Sequence, residues 1–144
     1  MTASADPYDL DRFVRAQDGV YEQALAELVA GRKRSHWMWF IFPQVAGLGS
    51  SLMSERYAIG SMAEAQSYLA HPLLGVRLVR CVEAMLSVKG RSAHDILGYP
   101  DDLKLQSSLT LFAEISDAGS PFHRALDRFF DGVPDDKTLS RLDR

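Results

Sequence analysis

Apolar residues along this chain recur mostly three and four positions apart, the mark of one-sided helices, and almost nowhere in the strict alternation of a half-buried strand. After Asp9, the set Leu10, Phe13 and Val14 predicts a short helix. A second begins near Asp18 and turns Tyr21, Leu25, Leu28 and Val29 inward as far as Gly31, a natural helix stop. Ser61 followed three residues later by Glu64 has the form of a capping box, and Met62, Ala65 and Leu69 continue at helical spacing up to His71 and Pro72. Pro72 suits the first turn of the next helix, where a missing N–H costs nothing, and His71 is placed to cap it. Leu74, Leu78, Cys81, Val82 and Met85 then draw one stripe, closed by Gly90.

Ser92 with Asp95 predicts a single turn ended by Gly98. From Asp101 to Ile115 the residues Leu103, Leu105, Leu109, Leu111, Phe112 and Ile115 cover more than half the circumference of one longer helix, which marks it as central and buried. Ser120 and Pro121 open another, with Phe122, Leu126, Phe129 and Phe130 inward and Gly132 as its stop. Trp37 to Phe42 is strand-like on propensity alone. No second run exists to pair with it, and Ser35 is a good N-cap, so a short buried helix ending before Pro43 is expected. The pattern as a whole predicts an all-α, single-domain, multihelical orthogonal bundle of roughly eight helices around the central one. Residues 1–8 form a loosely ordered N-terminus in this reading, and 9–144 the domain.

Composition narrows the function classes more than it alters this picture. A chain of 144 residues, 47% hydrophobic and 24% charged, is ordinary for one globular domain. A net charge of −3 offers no general attraction for nucleic acid. The single cysteine, Cys81, excludes an internal disulfide and any multi-cysteine metal site, and fits a reducing compartment. The stretch Met1 to Leu10 lacks the apolar core of a secretory signal, and the longest apolar run, Trp37 to Phe42, is far too short to span a bilayer. A cytoplasmic protein without membrane, metal or cofactor is expected.

Three long motifs carry a resemblance. They are GRKRSHWMWFIFPQVAGLGSSLMSERY from Gly31, HPLLGVRL from His71, and ILGYPDDLKLQSSLTLF from Ile96, with Asp136, Thr138 and Leu139 completing the pattern near the C-terminus. Together they resemble a bacterial family known as domain of unknown function 1810. The resemblance implies a multihelical all-α fold and no catalytic assignment. Some members have carried the label calpastatin, an intrinsically disordered protease inhibitor, and a chain this rich in Trp and Phe does not fit that label.

Two constellations hold the candidate chemistry. The first is Arg34, Ser35, His36, Trp37, Trp39 and Gln44, followed by Gly47, Leu48, Gly49, Ser50 and Ser51. A site for a planar ligand needs an aromatic face, an amide to read polar edges and glycines that admit close approach, and all three are present. The same residues also admit a packing explanation: core aromatics, a serine cap and a glycine-shaped turn. The second is Asp101, Lys104, Ser107 and Ser108, whose spacing places an acid, a cation and hydroxyls on one helix face. That set suits an anionic ligand, or a capping acid with a snorkelling lysine and serines that permit close packing. The run Arg32, Lys33, Arg34 fits either a helix C-terminal dipole or an anion. His36 is the candidate acid, base or recognition donor. No zinc-hydrolase spacing, phosphate-loop fingerprint or nucleophile elbow occurs. The candidate ligand residues are therefore Arg34, His36, Trp37, Trp39, Gln44, Lys104 and Ser108. The function expected is binding of, or an enzymatic reaction on, a nucleotide-like or anionic aromatic small molecule. The alternative is a non-catalytic interaction module, for instance a homodimer.

Overall fold

A computed structural model describes residues 6–142. Ten helices follow in order: α1 Asp11–Gln17, α2 Tyr21–Val29, α3 Met38–Ile41, α4 Leu52–Arg56, α5 Met62–Ala70, α6 Leu74–Ser87, α7 Ala93–Leu97, α8 Asp101–Glu114, α9 Pro121–Phe130 and α10 Asp136–Leu142. Among the described residues there is no strand, only an isolated parallel bridge between Val45 and Ile59. The all-α multihelical class read from the spacing is the observed one. The two helices beyond the expected eight, α4 and α10, are short pieces with little apolar periodicity.

The local caps explain where most helices start. The hydroxyls of Ser61, Ser92 and Ser120 each accept a backbone N–H three residues on. Only Ser92 with Asp95 forms the reciprocal box. Glu64 reaches past Ser61 to the N–H of Gly60 at 2.9 Å and to Arg12 at 2.8 Å, because α1 brings a guanidinium within reach. His71 Nδ1 accepts the N–H groups of Leu73 and Leu74 at 3.1 and 3.2 Å, so it caps α6 as expected. Of the stretch 1–8, residues 1–5 lie outside the described residues; the Asp6 carboxylate accepts the N–H groups of Leu10 and Asp11 and opens α1.

α8 is the central element. Leu105 and every residue from Ser107 to Ala113 are buried, and α5, α7, α9 and α10 pack around it. A file of rings crosses the core from α1 to α9: Phe13 to Tyr68 at 5.0 Å, Tyr68 to Phe112 at 5.5 Å, and Phe112 to Phe122 at 5.6 Å. Such edge and tilted contacts add about 0.5–1.5 kcal/mol per pair beyond area burial. Gly75 lets α6 approach α5, since a Cβ there would lie 1.9 Å from the Leu69 carbonyl oxygen.

Three details depart from the periodicity reading. Val29, Met62 and Leu103, expected on the apolar stripes of their helices, are exposed. Pro72 lies in the turn before α6 rather than inside its first turn. α3 begins after Trp37 with no side-chain cap, because the Ser35 hydroxyl is turned to a carboxylate from α2.

Candidate functional site

That carboxylate belongs to Glu27, which lies on the buried side of α2 with Ala24 and Leu28. Its Oε1 accepts the backbone N–H of Arg34 at 2.8 Å, the N–H of Ser35 at 3.1 Å and the indole Nε1–H of Trp37 at 2.9 Å. Its Oε2 accepts the Ser35 hydroxyl at 2.7 Å and the Gln23 amide at 3.1 Å. Burial pushes the carboxyl upward, but these donors prevail and hold it at about 2. Trp37 is thus fully buried, with its indole N–H committed to Glu27. The signal available in the sequence was an acid inside an apolar stripe.

The Glu27 hub shapes the turn that carries Lys33. The Lys33 N–H donates to Ile96 O at 2.8 Å, and its ammonium meets Asp101 Oδ2 at 3.0 Å while lying 5.2 Å from the Trp37 ring centroid. The other Asp101 oxygen is 3.6 Å from Lys104 Nζ, which lies 5.4 Å from the Trp39 ring centroid. Asp101 therefore does not cap α8 with its side chain; it sits between two ammonium groups, each over its own indole. A cation in the first turn of a helix is disfavoured by the helix dipole, so Lys104 depends on Asp101 and Trp39 for its position.

Opposite Lys104 runs the loop 43–50, pinned by two backbone bonds of 2.8 Å, Ile59 N–H to Gln44 O and Ala46 N–H to Ile59 O. Its far side is held by Arg141, whose Nη2 donates to Gly47 O at 3.2 Å. Gly47 has φ of +96°, and a Cβ there would meet the Arg141 guanidinium at 2.5 Å. Between loop and helix lies a cavity of about 360 Å³ walled by Trp39, Gln44, Leu48 and Lys104. Gly49 and the hydroxyls of Ser50, Ser51 and Ser54 complete its rim. Ser51 and Ser54 bond each other at 2.8 Å. Within the described residues the Trp39 indole N–H, the Gln44 side-chain amide, the Ser50 hydroxyl and the Lys104 ammonium make no hydrogen bond, Lys104 having its 3.6 Å ion pair with Asp101 and its contact with the Trp39 ring.

Of the residues singled out from the sequence, Trp39, Gln44 and Lys104 therefore line one cavity. Arg34 and His36 are exposed and stand outside it. Ser108 is buried in the core face of α8, and Ser107 donates to Leu103 O and to Asp135, so neither hydroxyl reaches the cavity. Lys33, read as part of a basic run, proved to be a partner of Asp101. A second, more apolar groove of about 610 Å³ runs beside α6 and α9, with Val76, Val79, Pro121 and Phe122 in its wall. Cys81 is buried on α6, and burial pushes its thiol up to about 12. Among the described residues no cluster of three or more His, Cys, Asp or Glu is placed to hold a metal. None of the described helices is long and apolar enough to cross a membrane.

The family model described as a protein of unknown function, DUF1810, matches residues 7–142. The chain belongs to this family. A solved structure, that of the conserved hypothetical protein Rv1873 from Mycobacterium tuberculosis, is 53% identical, with a TM-score of 0.93, and the match covers 95% of this chain and 98% of that one. No curated protein matches. Family membership thus agrees with the sequence motifs and with the all-α fold.

Proposed function

We propose that this DUF1810 chain is a small-molecule binding domain, acting in the cytoplasm, whose ligand is flat and negatively charged, nucleotide-like compounds included. One observation supports this above the rest: Lys104 of α8 lines the same cavity as Trp39 and Gln44, some sixty residues earlier in the chain, and none of the three side chains makes a hydrogen bond inside the described residues. A ring packs against the half-buried indole of Trp39 beside Lys104, the Gln44 amide offers a donor and an acceptor to its edge, and Lys104 meets its charge. The volume lies in the range of ordinary ligand sites. Among the described residues no carboxylate, imidazole or thiol lines the cavity to activate its serine hydroxyls, so the lining favours binding over acid–base or nucleophilic catalysis.

The test is a screen of planar acids and nucleotides by two-dimensional ¹H–¹⁵N spectroscopy. Ligands are expected to move the Trp39 indole and Gln44 amide signals. Trp39→Leu and Lys104→Met should abolish binding with nearly unchanged apo melting temperatures, whereas His36→Ala, outside the cavity, should bind normally. Ligands that move signals elsewhere, or full binding by Lys104→Met, would refute the reading. An interaction module pairing with a second copy is the other reading, and the apolar groove beside α6 and α9 favours it. Concentration-dependent sedimentation that is lost in Val76→Lys would support that alternative.

A further inference from the structure

From the charges that converge on the Trp39 cavity we infer that its ligand is an aromatic carboxylate, singly charged, rather than a phosphate ester. This rests on the binding reading above and narrows its ligand class. Lys33, Asp101 and Lys104 form one linked group, with ammonium-to-carboxylate distances of 3.0 and 3.6 Å. Two ammonium groups and one carboxylate leave a single positive charge. Lys33 is withdrawn from solvent, its side chain 9% exposed, while Lys104 is 29% exposed and borders the cavity. The surplus charge is therefore presented at Lys104.

Two features set the number of negative charges the site accepts. A carboxylate on Lys104 neutralises the group. A phosphate monoester, which carries close to two charges at neutral pH, would leave one unbalanced and bring it towards Asp101 across a partly desolvated wall. Among the described residues no arginine lines the cavity to supply the bidentate donors that phosphate sites commonly use. The donors that are available suit a planar acid. Lys104 lies over the Trp39 ring, 5.4 Å from its centre, so a ring packed against the indole beside the ammonium brings a directly attached carboxylate to it. The Ser50 hydroxyl and the Gln44 amide stand on the same rim and make no hydrogen bond among the described residues.

Benzoate, benzamide and phenyl phosphate share one ring and differ in charge, and their dissociation constants can be read from the Trp39 indole signal. The wild type is expected to bind benzoate about tenfold more tightly than benzamide and more tightly than phenyl phosphate. Asp101→Asn adds one positive charge to the group and should shift the preference towards phenyl phosphate. Should that variant fold poorly, the comparison in the wild type stands by itself. Phenyl phosphate binding as tightly as benzoate, with the Trp39 signal moving, would overturn the carboxylate inference and leave the binding reading intact. Silence of the Trp39 signal towards all three probes would also overturn it, while the wider screen of acids and nucleotides separately decides whether the cavity binds anything.

Discussion

Replacing Glu27 by Gln isolates what its charge does for the fold. The carboxylate is buried and accepts five hydrogen bonds, three of them at Oε1 from donors that cannot turn away: two backbone N–H groups and the Trp37 indole. The Gln side chain keeps its carbonyl there and sets its NH₂ near the Ser35 hydroxyl and the Gln23 amide, both able to reorient. The substitution therefore mimics the protonated acid. At about 1.4 kcal/mol per pH unit, holding the carboxyl at about 2 instead of its ordinary 4.5 contributes about 3 kcal/mol. The folded ionisation lies below the unfolded one, so this contribution is complete above about pH 5 and fades as pH falls towards 2. Glu27→Gln should lower the unfolding free energy by about 3 kcal/mol at neutral pH. The gap between the two proteins should close on acidification. Urea denaturation followed by tryptophan fluorescence across that pH range measures both effects. A variant within about 1 kcal/mol of the wild type at neutral pH, or a gap that does not narrow in acid, would refute the assignment.

Gly75→Ala forces a methyl group against the Leu69 carbonyl, a backbone atom that moves only with its helix, and should cost about 3 kcal/mol or more in denaturant unfolding. An unchanged midpoint would show that α5 and α6 separate freely. The Cys81 thiol, buried and pushed up to about 12, should react with a bulky disulfide reagent only as fast as the protein unfolds, and Cys81→Ala should reduce stability modestly. Reaction in the native protein as fast as in denaturant would contradict its placement.

The helices and most of their boundaries were legible in the sequence because their causes are local. Ser92 with Asp95, Ser120 with Pro121, and His71 before α6 each act on backbone groups two or three residues away, and the apolar stripes of α6 and α8 need only a helical period to be read. The candidate site was legible only as a list of residue types. Trp37 and Trp39 look alike in sequence, yet one indole N–H is fastened to Glu27 and the other borders a cavity, and that difference depends on where α2 lies. Spacing within α8 placed Lys104 beside Asp101 but also beside Ser107 and Ser108, which the surrounding helices bury. The pairing of Lys33 with Asp101, and of Gln44 with Lys104 across one cavity, arises when distant segments pack against each other, and no periodicity records such contacts. Local hydrogen bonding and burial determine each helix from its own residues; the ligand-facing surface exists only after the helices have docked.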